Sequence, residues 1–81
     1  MLELGRLLKE NRLKNNLSLE TLSKMTDTSA STLSNLENGK IQNPSNVLLY
    51  RLSKFLNVDY NYILRERWGI LPSFSFYRNR L

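Results

Sequence analysis

Apolar side chains recur along most of the chain at helical steps, and short polar stretches interrupt them. Leu4 and Leu8 lie one turn apart and Leu13 extends the same side, while Lys9, Glu10 and Lys14 supply a wet face. This pattern predicts a helix over residues 4–15, stopped by Asn15 and Asn16, because Asn tolerates the left-handed backbone that ends helices. Ser18 is placed to cap a second helix with its hydroxyl, Glu20 complements the positive helix end, and Leu19, Leu22 and Met25 follow as its inward face. Thr26, Asp27 and Thr28 then favour a turn. Ser29 caps a third helix over 30–38, with Leu33 and Leu36 inward and Asn38-Gly39 as its stop. A polar loop, 40–44, leads to Ser45, the cap of a fourth helix in which Val47, Leu48, Leu52, Phe55 and Leu56 form a broad buried stripe. Asn57 and Val58 break that helix. Asp59 caps a fifth, where Tyr60, Ile63 and Leu64 close the core. The fold class expected is all-α: a compact bundle of five short helices with an irregular or strand-like C-terminal tail.

The tail is unusual for its large apolar groups, Trp68, Ile70, Leu71, Phe74, Phe76 and Tyr77. Phe74 and Phe76 alternate with Ser73 and Ser75, which is strand spacing. The organisation expected is a helical domain over 1–66 and an aromatic segment over 67–81. Trp68, Phe74, Phe76 and Tyr77 are its candidates for dimerisation with a second copy or for contact with another protein. The alternative is that Trp68 and Ile70 patch the monomer core and the remainder has no such use.

Composition narrows the chemistry. The 81 residues suit one domain with a modest core. Twelve Lys and Arg against seven Asp and Glu leave a net charge of +5, which favours a polyanionic partner or merely aids solubility. With neither Cys nor His, disulfides, thiolate or imidazole metal sites and the usual nucleophile–base pairs are excluded. The many Ser residues have no positioned base, and neither a carboxylate pair nor a phosphate-cradling glycine loop is present. No catalytic residue, metal or cofactor is therefore expected. The charged N-terminal stretch does not read as a signal peptide, and no segment approaches a membrane span, so a cytoplasmic location without membrane partners is the expectation.

One stretch is far more specific than composition. From Leu17 to Lys40 the chain reads LSLETLSKMTDTSASTLSNLENGK, and it continues through NPSNVLLYRLSKFLNVDYNYIL. Leu17, Ser18, Glu20, Leu22, Ser23, Ser29, Thr32, Leu33, Ser34, Leu36, Glu37, Asn38, Gly39, Lys40, Asn43, Pro44 and Ser45 match in one register. Through them the chain resembles the phage repressor and Cro type of helix-turn-helix, over roughly residues 4 to 64. The small Ser23 suits a place where the second helix must lie close to the third, so that the outer face of the third is free to enter a major groove. That face presents Ser29, Ala30, Ser31, Ser34 and Asn35.

The resemblance implies a transcriptional regulator, a repressor above all, that binds double-stranded DNA as a homodimer. It assigns base-edge contacts to Ser29, Ala30, Ser31 and Asn35; an Asn can bond adenine bidentately and Ala30 offers its methyl to thymine. Phosphate contacts fall to Leu19 through its backbone N–H, and to Lys24, Asn38, Lys40 and Asn43. Two departures point to weaker binding. Leu19 stands where Gln is common, and Asp27 where the turn usually has Gly. Arg12 follows Leu4 and Leu8 on the buried side of the first helix, and an inward charge needs a partner. Glu37 is the candidate, and many resembling proteins pair Arg and Glu at these positions; alternatively, Arg12 snorkels to solvent and meets phosphate. The rival function is a protein-directed module, such as an antitoxin or antirepressor, that uses the helical surface or the tail.

Overall fold

The computed structural model describes residues 2–68. These form five helices: α1 (Leu2–Lys14), α2 (Leu19–Thr26), α3 (Ala30–Glu37), α4 (Asn46–Leu56) and α5 (Tyr60–Trp68). The strand-like pattern read at Phe74 and Phe76, and the dimerisation candidate Tyr77, lie outside the described residues. None of the described helices is long and apolar enough to cross a membrane.

Helix boundaries follow from local chemistry at both ends. Ser18, Ser29 and Ser45 adopt extended backbone, and each hydroxyl accepts from the N–H three residues on, at 3.0 to 3.1 Å. Each cap satisfies one amide that the helix cannot pair itself, worth about 1 kcal/mol against Ala. Asp59 does similar work for α5, accepting from the Asn61 N–H at 3.0 Å. The exits also share one solution. Asn16, Asp27, Gly39 and Asn57 have φ of 56, 58, 74 and 59°. The residue after each one donates back across the last turn: Leu17 to Arg12, Thr28 to Ser23, Lys40 to Asn35 and Val58 to Ser53. This closure satisfies the last carbonyls while reversing the chain, and it needs a residue that tolerates left-handed backbone.

The core is formed by Leu4 and Leu8 of α1, Leu22 of α2, Leu33 and Leu36 of α3, Leu49, Leu52 and Leu56 of α4, and Ile63 of α5. Leu7, Leu17, Leu19, Ile41, Leu48, Val58 and Tyr60 pack around it. α1 lies against α3, α4 and α5, while α2 bridges α3 and α4. Tyr50 and Tyr60 meet edge to face at 5.3 Å and help join α4 to α5.

The buried faces of α1, α2 and α4 differ from the predicted ones. Val47 is 61% exposed and Phe55 41%, whereas Leu49 and Ser53 are buried beside Leu52 and Leu56. Met25 is exposed, and Thr26, predicted to begin the turn, is the fully buried last residue of α2. The cause is the same in both helices. Ser53 donates its hydroxyl to the Tyr50 carbonyl at 2.6 Å, and Thr26 to the Leu22 carbonyl at 2.8 Å. A hydroxyl satisfied within its own helix can be buried like a small apolar group. The inward face of α4 thus runs through Leu49, Ser53 and Leu56 and that of α2 through Leu22 and Thr26, leaving Phe55 and Met25 outside. On α1, Leu13 is 54% exposed because Arg12 takes the inward position.

Candidate nucleic-acid interface

α2 and α3 are joined by Asp27, Thr28 and Ser29. Asp27 reverses the chain in the left-handed region, and Ser29 opens α3. Ser18 and Ser29 play matching parts at the two helix starts. Each accepts from a threonine N–H and also pairs with that threonine's hydroxyl, Thr21 at 3.0 Å and Thr32 at 2.9 Å. The Ser29 hydroxyl is thereby engaged twice by Thr32, which leaves it one position for a further partner. Behind the outer face of α3, Leu33 and Leu36 are buried. On that face Ser29, Ser31 and Asn35 are exposed, and Ala30 and Ser34 are half-buried. Ser31 and Asn35 are one turn apart, hence on one side of the helix.

The far end of α3 is gripped by α1. Arg12 Nε donates to Glu37 Oε2 at 2.7 Å and Nη2 to Oε1 at 3.2 Å, while Nη1 reaches the Leu17 carbonyl at 2.9 Å. Arg12 is 8% exposed and Glu37 9%. One guanidinium therefore ties α1 to the end of α3 and to the approach to α2. Two turns earlier on the same side of α1, Gly5 lets the helices touch through backbone. A Cβ at Gly5 would sit 2.3 Å from the Glu37 carbonyl oxygen and 2.6 Å from that of Leu36. Neither α1 periodicity nor charge points to Gly5. Its signal in the sequence is the glycine itself, inside a helix made mostly of strong helix formers, where it costs about 1 kcal/mol against Ala.

The other predicted phosphate-contacting residues lie around this motif. Leu19 starts α2 with its side chain packed on the core, so its backbone N–H is the group it offers. Lys24 is exposed on α2, and Asn38, Lys40 and Asn43 are exposed on the loop after α3. Ile41 packs against the core and Pro44 is buried, so the loop is held down at alternate points and lifts Lys40 and Asn43 toward solvent. Asn43 Oδ1 accepts from Arg67 Nη2 of α5 at 2.6 Å. Arg51 of α4, which the sequence pattern does not single out, donates from Nη1 to the Thr26 carbonyl at 3.1 Å. It closes the end of α2 with a positive charge, which the helix dipole favours. Trp68 is the last residue of α5, and Phe74, Phe76 and Tyr77 lie beyond the described residues.

The cleft between α1 and α5 has a different character. Glu3, Glu10 and Glu66 line it with Arg6, Leu7 and Tyr62, three carboxylates to one guanidinium, which disfavours phosphate there.

A family model described as helix-turn-helix matches residues 8–63, from within α1 to within α5. No curated protein and no solved structure matches the chain. The matched span contains the capped α2, the Asp27 turn and α3 with its uncharged outer face, and the chain belongs to the helix-turn-helix family of DNA-binding transcription regulators.

Proposed function

We infer that the chain is a sequence-specific repressor of the phage repressor and Cro kind, binding an operator as a homodimer with α3 in the major groove. The observation that carries this reading is the asymmetry of α3. Leu33, Leu36 and Glu37 lock one side into the domain, and Ser31 and Asn35 stand exposed on the other. A rigidly held helix with a small, hydrogen-bonding outer face fits a groove without steric conflict. Asn35 reads adenine, Ala30 meets a thymine methyl, and Ser31 and Ser34 add contacts of low selectivity. Ser29 contributes less, because its hydroxyl is already engaged by the Thr32 N–H and hydroxyl. No Arg or Lys on this face is available for guanine, so the preferred half-site is rich in A·T. Lys24, Lys40, Asn38, Asn43 and the Leu19 N–H take the phosphates. The aromatic segment that starts at the end of α5, with Trp68, Phe74, Phe76 and Tyr77, joins two copies.

Selection of binders from a random duplex library by the full chain tests this reading. The expected product is an inverted repeat with half-site centres about 34–36 Å apart. On the selected site Asn35→Ala should cost about 1–3 kcal/mol at one base position and leave other positions unaffected. Equal weakening on every sequence would remove Asn35 from direct readout. Asp27→Gly is expected to tighten binding by about 1 kcal/mol at low salt, since it deletes a negative charge near phosphate. Its melting should stay within about 1 kcal/mol of the parent, because easier left-handed geometry is offset by the greater chain entropy of Gly. Unchanged affinity in fluorescence titrations would place Asp27 away from the DNA.

The protein-directed reading, as antitoxin or antirepressor, is favoured by one observation. Val47, Tyr50 and Phe55 leave large apolar groups exposed on α4. Salt separates the two readings. Lys24 and Lys40 from two protomers should give log affinity a slope of about −4 on log salt, at about −0.9 per phosphate neutralised. Absence of any salt-dependent duplex binding would favour the protein partner.

A further inference from the structure

The geometry points to Arg67 as a positioning residue for DNA binding: it holds the Asn43 amide with its donor side turned toward phosphate. This rests on the DNA-binding reading above and extends it to α5 beyond residue 63, where the family match ends. A guanidinium has only donors, so an Asn that meets it must present oxygen. Arg67 Nη2 lies 2.6 Å from Asn43 Oδ1. With its oxygen engaged, the amide is biased against flipping, and both N–H donors of Nδ2 face away from Arg67. Asn43 is exposed on a loop that Pro44, buried beside it, fixes on the other side. An exposed Asn on a loop without such a partner samples both amide orientations, and one of them sets oxygen against phosphate oxygen. Arg67 depletes that conformer in the free protein, so less order has to be gained on binding. Its charge also strengthens the amide: donation to Oδ1 polarises Nδ2 as a donor.

A double-mutant cycle on the selected duplex, read as affinity against salt, tests the assignment. Arg67→Ala is expected to weaken binding about threefold to tenfold, the equivalent of one hydrogen bond. In an Asn43→Ala background the same change should cost almost nothing, because the group it positions is gone. Arg65→Ala removes an equal charge from the same end of α5 and measures the general charge effect. Asn43→Asp provides a variant in which the fold is not at risk: it keeps an acceptor for Arg67 but turns an oxygen outward, and should bind more weakly than Asn43→Ala. A loss at Arg67→Ala no greater than at Arg65→Ala overturns the inference. A loss that persists in the Asn43→Ala background, with the salt slope reduced by about 0.9, would make Arg67 a phosphate contact in its own right and also overturn it. Failure of the parent chain to bind any duplex would instead remove the DNA-binding reading.

Discussion

Replacing Gly5 by Ala is expected to destabilise the domain by about 3 kcal/mol, the range for forcing an extra carbon into a packed interior. The sign is opposite to the local expectation, since Gly to Ala in a helix ordinarily gains about 1 kcal/mol. Contact geometry decides between them. The new carbon would lie 2.3 Å from the Glu37 carbonyl oxygen, 2.6 Å from the Leu36 carbonyl oxygen and 2.7 Å from the Glu37 carbonyl carbon. All three are backbone atoms at the end of α3, so no side chain can rotate away to relieve the overlap. Either α1 or the end of α3 must move, and movement there also disturbs Leu36, Leu4 and the Arg12–Glu37 bonds. A loss of about 3 kcal/mol in a domain this size corresponds to a drop of roughly 12–24 °C in melting temperature. Lys9→Ala, on the exposed side of the same helix, should change stability by less than about 0.5 kcal/mol. Thermal melts of the two variants check the prediction; a Gly5→Ala variant as stable as the parent would mean that the helices do not approach this closely.

Legibility in the sequence follows the range of the interaction responsible. Ser18, Ser29 and Ser45 act on amides three residues away, and Asn16, Asp27 and Asn57 on their own backbone and the turn before it. Such chemistry is local, so five helices and their approximate ends can be read from the string. Regularly spaced leucines such as Leu4 and Leu8, or Leu33 and Leu36, leave one choice of inward face. α4 does not, because Val47, Leu48, Leu49, Leu52, Phe55 and Leu56 surround much of the helix. The face it buries, with Leu49, Leu52 and Leu56, includes Ser53, whose buried, self-satisfied hydroxyl has no signature in a hydrophobicity pattern. Gly5 and Arg51 were illegible for another reason: each matters only through backbone more than twenty positions away, Glu37 for one and Thr26 for the other. For the site, exposure of Ser31 and Asn35 follows from the burial of Leu33 and Leu36 next to them. The pairing of the Ser29 hydroxyl with Thr32 has no signature in the exposure pattern of α3.

Removing either member of the Arg12–Glu37 pair is expected to cost about 3–5 kcal/mol, the usual penalty for leaving a buried charge without its partner. A chain of this length has about 4–12 kcal/mol in all, so Glu37→Ala or Arg12→Met should leave the domain near its unfolding threshold. The two side chains are only 10 and 7% exposed, so water cannot replace the missing group. Removing both charges has a different outcome. Arg12→Met combined with Glu37→Leu deletes the desolvation cost along with the attraction, and apolar groups of similar volume often do as well in such positions. One acceptor still loses out, the Leu17 carbonyl that takes Arg12 Nη1 at 2.9 Å, at a cost of about 1–3 kcal/mol if it stays dry. The double variant should therefore melt well above either single variant, and the cycle should show a coupling of about 2 kcal/mol or more. DNA affinity should recover less than stability does. Three directional bonds from one guanidinium fix the end of α3 in orientation as well as in depth, whereas Met against Leu fixes depth alone. Single variants that each lose less than about 1 kcal/mol in urea unfolding would show that the pair carries no structural weight.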